Sequence, residues 1–164
     1  MGRKTGDDAT GHDVVSIPQL IYSGIDPCEL VQRWSISEEL ARRVVEGARI
    51  FGGPVSIISG HRSEAYQDVL RREGRPTADP GVSTHTECPA TGVDLWPQMA
   101  ITNHVKYELS TSMVIARLRW GGNSKPDKDG IPSDWNHFDL GPRVGRKVID
   151  RHFPPIWWGS ELRE

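Results

Sequence analysis

Two histidines and an aspartate are the side chains in this sequence best suited to hold a metal ion. His85 and His137 each have a carboxylate close by, in segments that we place at strand edges. A catalytic zinc site needs three nitrogen or oxygen ligands and one position left for water, and Asp94 could supply the third ligand. The pair of histidines alone is weak evidence for a metal site, because the chain has 6 histidines. Most histidines lie at the surface or are buried with their ring nitrogens hydrogen-bonded.

Four short motifs surround these residues in a defined order. They are SGHRS at 59–63, STHTECPATGVDLW at 83–96, RWGG at 119–122 and DWNHFD at 134–139. In this combination, which covers residues 37–140, the chain resembles the M15 family of zinc peptidases. That family includes D-Ala-D-Ala carboxypeptidases and dipeptidases, and the L-alanyl-D-glutamate endopeptidases that bacteriophages use as endolysins.

The resemblance implies a zinc ion held by His85, Asp94 and His137. The family pattern has six residues between its first histidine and its aspartate, whereas this chain has the eight residues TECPATGV. A longer loop costs little free energy, so the extra residues can bulge outward without moving the ligands. Alternatively, the insertion could bring the Cys88 thiolate onto the metal and close the site.

Further roles follow from the same resemblance. Asp134 precedes His137 by three residues and is aspartate, as in the phage-type endopeptidases, which implies that it is the general base. Arg62 resembles the arginine that holds the substrate and polarises its carbonyl. Ser83 resembles a substrate-binding serine of the family. A role in capping the loop that presents His85 explains a serine at this position equally well.

Asp139 has two interpretations. A strand has a period of two, so Asp139 and His137 share a face and the carboxylate could orient the imidazole. A solvated carboxylate at the end of the strand is the equal alternative.

The elements that position these residues alternate irregularly between helix and strand. Apolar spacing and capping serines predict helices at 36–51, 63–74 and 103–118, with Ser35 and Glu38 as a capping box for the first. Strands are predicted at 54–58, 91–96 and 135–140, and Pro18 restricts the apolar segment 14–21 to an edge strand or a docking segment. The pattern predicts an α+β domain, a small antiparallel sheet flanked by helices, and the resemblance implies the hedgehog/DD-peptidase fold.

Length and charge restrict the possible classes of protein. A chain of 164 residues predicts one domain, which we place at 13–164 with a Trp-rich C-terminal tail, after a flexible leader at 1–12. The formal net charge of −2 argues against nucleic acid as the main partner. No apolar stretch approaches the ~20 residues of a membrane-spanning helix, and the start of the chain does not resemble a signal peptide. Cys28 and Cys88 are expected to be free thiols.

These observations favour a zinc-dependent peptidoglycan hydrolase that cleaves a stem-peptide bond next to a D-amino acid, of the phage endolysin or virion-associated type. The expected partners are the stem peptide and phage virion proteins. The expected location is the host cytoplasm before release, or the virion, with action at the bacterial cell wall. One alternative is a phage structural or assembly protein that retains the fold, and another is a bacterial D-Ala-D-Ala carboxypeptidase.

Overall fold

The computed structural model describes residues 18–21, 24–75, 78, 83–121 and 134–141. The predicted leader and the Trp-rich tail lie outside these residues. In the described ranges the chain forms five strands and four helices, in the order β1 (Gln19–Ile21), α1 (Pro27–Trp34), α2 (Glu38–Phe51), β2 (Val55–Ser59), α3 (Glu64–Arg72), β3 (Gly92–Pro97), α4 (Asn103–Ile115), β4 (Arg119–Trp120) and β5 (His137–Asp139). None of the described helices has the length and apolar character needed to cross a membrane.

The described strands form one antiparallel sheet in the order β1-β2-β3-β5-β4. Because successive side chains of a strand point to opposite faces, the sheet has two distinct faces. One face is apolar and joins α2 and α4 in the core, whose buried members include Ile57, Val93, Leu95, Phe138, Trp120, Leu40, Val44, Leu109 and Met113. The other face bears Asp94, His137 and Asp139, so the sheet separates the core from the candidate site.

The predicted α+β class and the small antiparallel sheet are confirmed. Each predicted helix and strand has a counterpart, and β1 is the edge strand that Pro18 indicated. The helix predicted to reach residue 118 ends at Ile115. Helix α1 and strand β4 were not predicted from the sequence, because α1 is short and β4 has only 2 residues.

One capping residue was predicted wrongly. Ser37 is the N-cap of α2, and its hydroxyl accepts a hydrogen bond from the Leu40 amide at 3.3 Å. Ser35 instead ends α1 in the left-handed conformation, with φ at 50°. The capping-box pattern depends on residue types and spacing alone, so it fitted Ser35 although this residue ends α1. By contrast, Ser63 caps α3 as predicted, since its hydroxyl accepts from the Tyr66 amide at 3.2 Å.

Candidate metal centre

His85, Asp94 and His137 lie together on the polar face of the sheet. His85 Nε2 is 3.1 Å from Asp94 Oδ1, His137 Nδ1 is 3.0 Å from the same oxygen, and the two nitrogens are 3.1 Å apart. These three atoms form a nearly equilateral triangle. Zinc bonds of about 2.0–2.1 Å at tetrahedral angles place ligand atoms about 3.3 Å apart. The donor atoms therefore have the chemistry and the spacing that a tetrahedral zinc ion requires.

Sheet register and one tight turn bring the three residues together. Asp94 of β3 pairs directly with His137 of β5. His85 lies in the loop before β3. Its backbone carbonyl accepts a hydrogen bond from the Arg62 amide at 2.9 Å, and its Nδ1 contacts the Gly60 carbonyl at 2.6 Å. A Cβ atom on Gly60 would lie 2.7 Å from the Trp34 carbonyl, so this close turn requires glycine.

Hydrogen bonds determine which nitrogen of each imidazole carries the proton. His85 Nδ1 faces a carbonyl and must donate, which leaves the lone pair of Nε2 directed at Asp94. His137 Nε2 faces the Asp139 carboxylate at 3.3 Å, which leaves the Nδ1 lone pair directed at Asp94. Three acceptor atoms thus converge. Such a group repels itself unless a cation or a proton lies among them, so the arrangement fits a metal ion.

The pKa shifts have the same cause. Burial alone would lower the pKa of His137, but hydrogen bonds to Asp139 and Asp94 outweigh burial and raise the pKa to about 10. Burial would raise the pKa of Asp94, but the charge on His85 and the hydrogen bond from His137 hold it well below its usual range. The centre therefore stabilises positive charge strongly.

Metal binding should release a proton. With a pKa of about 10, His137 carries a second proton at pH 7 in the metal-free protein, and a ligand must lose it. At pH 7 we expect the binding of each zinc ion to release at least about one proton. The apparent affinity for zinc should rise roughly tenfold per pH unit between pH 7 and 9. Calorimetric zinc titrations in buffers of different ionisation enthalpy measure this release. A pH-independent affinity would contradict the assignment of His137 as a ligand.

Asp139 orients His137 and is not a solvated carboxylate. Its side chain is 4% exposed, and its two oxygens accept from Arg119 Nε and Nη2, both at 2.7 Å. Burial would raise the pKa of Asp139, but hydrogen bonds from His137 and Arg119 lower it to about 2. Arg119 was not singled out in the sequence, because its partner depends on the pairing of β4 with β5, which places it opposite Asp139.

Thr84 was also missed, whereas Gly92 was recognised only as part of the motif pattern. The Thr84 hydroxyl lies 3.3 Å from His137 Nε2, and a Cβ atom on Gly92 would lie 2.1 Å from that hydroxyl. Gly92 therefore leaves the space in which Thr84 and His137 meet.

Asp134 lies beside the ligand group without belonging to it. Its side chain is exposed, and its negative charge contributes to the raised pKa of His137, which places the carboxylate near the imidazole. A Cβ atom on Gly121 would lie 2.9 Å from Asp134 Oδ2 and 2.8 Å from His137 Cβ. The first glycine of the RWGG motif thus makes room for both residues, while Gly122 lies outside the described residues.

Arg62 contacts a candidate ligand. Its Nη2 donates to Asp94 Oδ2 in a short ion pair, and its Nε donates to the Ser59 hydroxyl at 2.8 Å. The guanidinium therefore binds the carboxylate oxygen that does not face the imidazoles. This contact adds a positioning role to the substrate-binding role that the sequence indicates, which stays a prediction.

Replacing Arg62 with lysine should weaken metal binding and activity. An ammonium group cannot donate to Asp94 and Ser59 in the same fixed fork. Loss of such an outer partner typically costs 10- to 100-fold in metal affinity or activity, and we expect that range here for Arg62→Lys. Competition with a zinc chelator measures the affinity, with Arg42→Lys as the control, since Arg42 is 61% exposed on α2. Unchanged affinity with lost activity would leave only the substrate-binding role.

The loop from Thr84 to Thr91 contains most of the eight-residue segment TECPATGV, which is two residues longer than in the family pattern. The Thr91 amide donates to the Thr84 carbonyl at 3.0 Å and closes the loop, while the Ala90 amide donates to the Ser35 carbonyl at 2.9 Å. Cys88 is exposed in this loop and, among the described residues, is not part of the group that could hold a metal. The geometry thus favours the outward bulge over thiolate ligation.

Ser83 supports the turn that presents His85. The Ser83 hydroxyl accepts from the His85 amide at 3.3 Å, and the Ser83 carbonyl accepts from the Thr86 amide at 3.2 Å. Ser83 is 4% exposed. These contacts favour the capping interpretation, and a substrate contact stays a prediction.

Comparison with known proteins shows a likeness to a solved structure. No protein-family model matches the sequence, and a search of curated proteins gives no significant match. The structure is similar to the crystal structure of the L-Ala D-Glu endopeptidase ChiX of Serratia marcescens, with a TM-score of 0.52 and 24% sequence identity over 70% of this chain and 85% of that chain. The two proteins share a fold. At this identity the likeness shows the fold alone, so function rests on the site.

Proposed function

We propose that this protein is a zinc-dependent peptidoglycan peptidase that cleaves a stem-peptide bond next to a D-amino acid. The observation that carries the proposal is the triangle of His85 Nε2, Asp94 Oδ1 and His137 Nδ1, with the Asp134 carboxylate beside it. Three ligands and an adjacent exposed carboxylate are the parts that a metallopeptidase needs. The shared fold with an L-Ala D-Glu endopeptidase supports the substrate class.

Each residue then has a chemical task. A zinc ion held by His85, Asp94 and His137 would lower the pKa of water to about 7 and polarise the scissile carbonyl. Asp134 accepts the proton of the attacking water and returns it to the leaving amine. Arg62 holds Asp94 in place and presents its remaining donors to a substrate carboxylate or to the developing oxyanion. Asp139 and Arg119 fix the orientation of the His137 ring.

The finer assignment is a phage endolysin or a virion-associated lysin. The aspartate at position 134 supports it, since the phage-type endopeptidases that the motifs resemble have aspartate there. The proposed partners are then the stem peptide of peptidoglycan and, for a virion-associated enzyme, phage virion proteins.

Mass spectrometry of muropeptides tests this function. Purified peptidoglycan is digested with the zinc-loaded protein, and in parallel with chelator present. Cleavage between L-Ala and D-Glu would establish the endopeptidase, whereas release of terminal D-Ala would establish a carboxypeptidase. Intact muropeptides, together with tight incorporation of the protein into phage particles, would favour the structural protein and overturn the proposal.

A further inference from the structure

An exposed tryptophan lies next to the metal centre on the same face of the sheet. Trp96 follows Asp94 by two positions on β3, and its ring contacts the ring of Trp135, which belongs to the buried core. The two ring centroids are 5.2 Å apart. Side chains two residues apart on a strand share a face and are separated by roughly 7 Å. The Trp96 indole therefore lies within reach of a substrate bound at the metal centre.

Trp96 also forms one side of a shallow groove. Ser56 of β2 pairs with Trp96 on one side and with Leu20 of β1 on the other, so all three side chains point to the same face. Leu20 is 46% exposed and Trp96 is 37% exposed, whereas the small Ser56 between them is buried. Two large apolar side chains thus flank a small one, in a groove that begins beside Asp94.

Trp96 and Leu20 do not belong to the buried core cluster, and the register of β1, β2 and β3 places both side chains on the opposite face of the sheet. A flat indole with a polar N–H edge matches a ligand that combines a flat apolar face with hydroxyl groups.

We propose, resting on the proposed function, that Trp96 is a binding platform for a saccharide ring of the glycan that bears the stem peptide. The apolar face of the sugar stacks on the Trp96 indole beside Leu20, and the attached stem peptide extends toward the metal centre. The platform gives the enzyme a preference for glycan-linked stem peptides over free peptides.

Steady-state kinetics on two substrates test this platform. The substrates are a disaccharide-tetrapeptide and the same tetrapeptide without sugars, both cleaved by the zinc-loaded full chain. Removing an aromatic anchor typically costs more than 1 kcal/mol of binding free energy, so we expect Trp96→Ala to raise KM for the sugar-bearing substrate about tenfold. KM for the free peptide and kcat for both substrates should stay within about twofold, and Trp96→Phe should restore part of the affinity.

Ile115→Ala is the matched control. Ile115 is 61% exposed at the end of α4, so its loss removes an exposed apolar side chain outside the groove. We expect this variant to leave both KM values unchanged. Equal KM increases for both substrates with Trp96→Ala would show that the indole binds the peptide, and no increase for either would show that it binds neither. Both results overturn the platform.

A binding measurement separates this inference from the proposed function. In the Asp134→Asn background, calorimetry measures the affinity for the intact disaccharide-tetrapeptide and for the free tetrapeptide. Sugar-dependent binding that Trp96→Ala abolishes would support the platform even if the wild-type protein cleaved neither substrate. Cleavage of both substrates with identical affinities would uphold the proposed function and overturn the platform.

Discussion

Replacing His137 with alanine should abolish tight zinc binding and, with it, hydrolysis. His137 supplies one of the three atoms of the donor triangle, at 3.0 Å from Asp94 Oδ1. The loss should exceed the 10- to 100-fold that removal of an outer partner costs, because a direct bond to the metal disappears. We expect one zinc per wild-type chain and less than about a tenth of that in the variant after dialysis against a weak chelator, measured by elemental analysis.

The matched control for this result is His104→Ala. His104 lies on α4, where its side chain is 76% exposed and pairs with Glu108 at 3.1 Å. This change also removes one histidine near a carboxylate, but it should leave the zinc content unchanged. Full zinc occupancy in His137→Ala would show that the metal lies elsewhere, and a zinc–sulfur bond in the spectrum of the loaded protein would place Cys88 on the metal.

Replacing Asp134 with asparagine should reduce kcat by about 10²- to 10⁴-fold while zinc content and thermal stability stay at the wild-type level. The amide keeps the shape of the carboxylate but cannot accept the proton of water. Because Asp134 is exposed and is not among the described residues that could hold the metal, we expect its replacement to leave the metal bonds intact. Muropeptide release followed over time, with zinc content measured on the same samples, tests all three expectations.

Asp68→Asn on α3 is the control, since it removes one carboxylate that is 46% exposed and pairs with Arg71 at 3.8 Å. Near-normal turnover of Asp134→Asn would contradict the assignment of the base. Asp139 would be a poor substitute, because it is buried, bound to Arg119 and has a pKa of about 2. A carboxylate with so low a pKa has little tendency to accept a proton at neutral pH.

Local sequence patterns predict most of the helices and strands, and they predict the residue types of the candidate site. Helices α2, α3 and α4 and strands β2 and β3 follow from local information, since apolar periodicity and capping side chains depend on residues within a few positions of each other. The motif order brought His85, Asp94 and His137 together as candidate ligands before any fold was known. The order of the motifs is informative because it identifies which residue types form the site, even when the positions of those residues in space are unknown.

The contacts that support these residues depend on the tertiary structure. The contact of Arg119 with Asp139, the contact of Arg62 with Asp94 and the pairing of Trp96 with Trp135 each join residues that are 20 or more positions apart. Such pairs depend on strand register, and a shift of one residue would turn every side chain to the opposite face. No local pattern specifies that register, because it is set by the burial of Val93, Leu95 and Phe138 on the other face of the same strands.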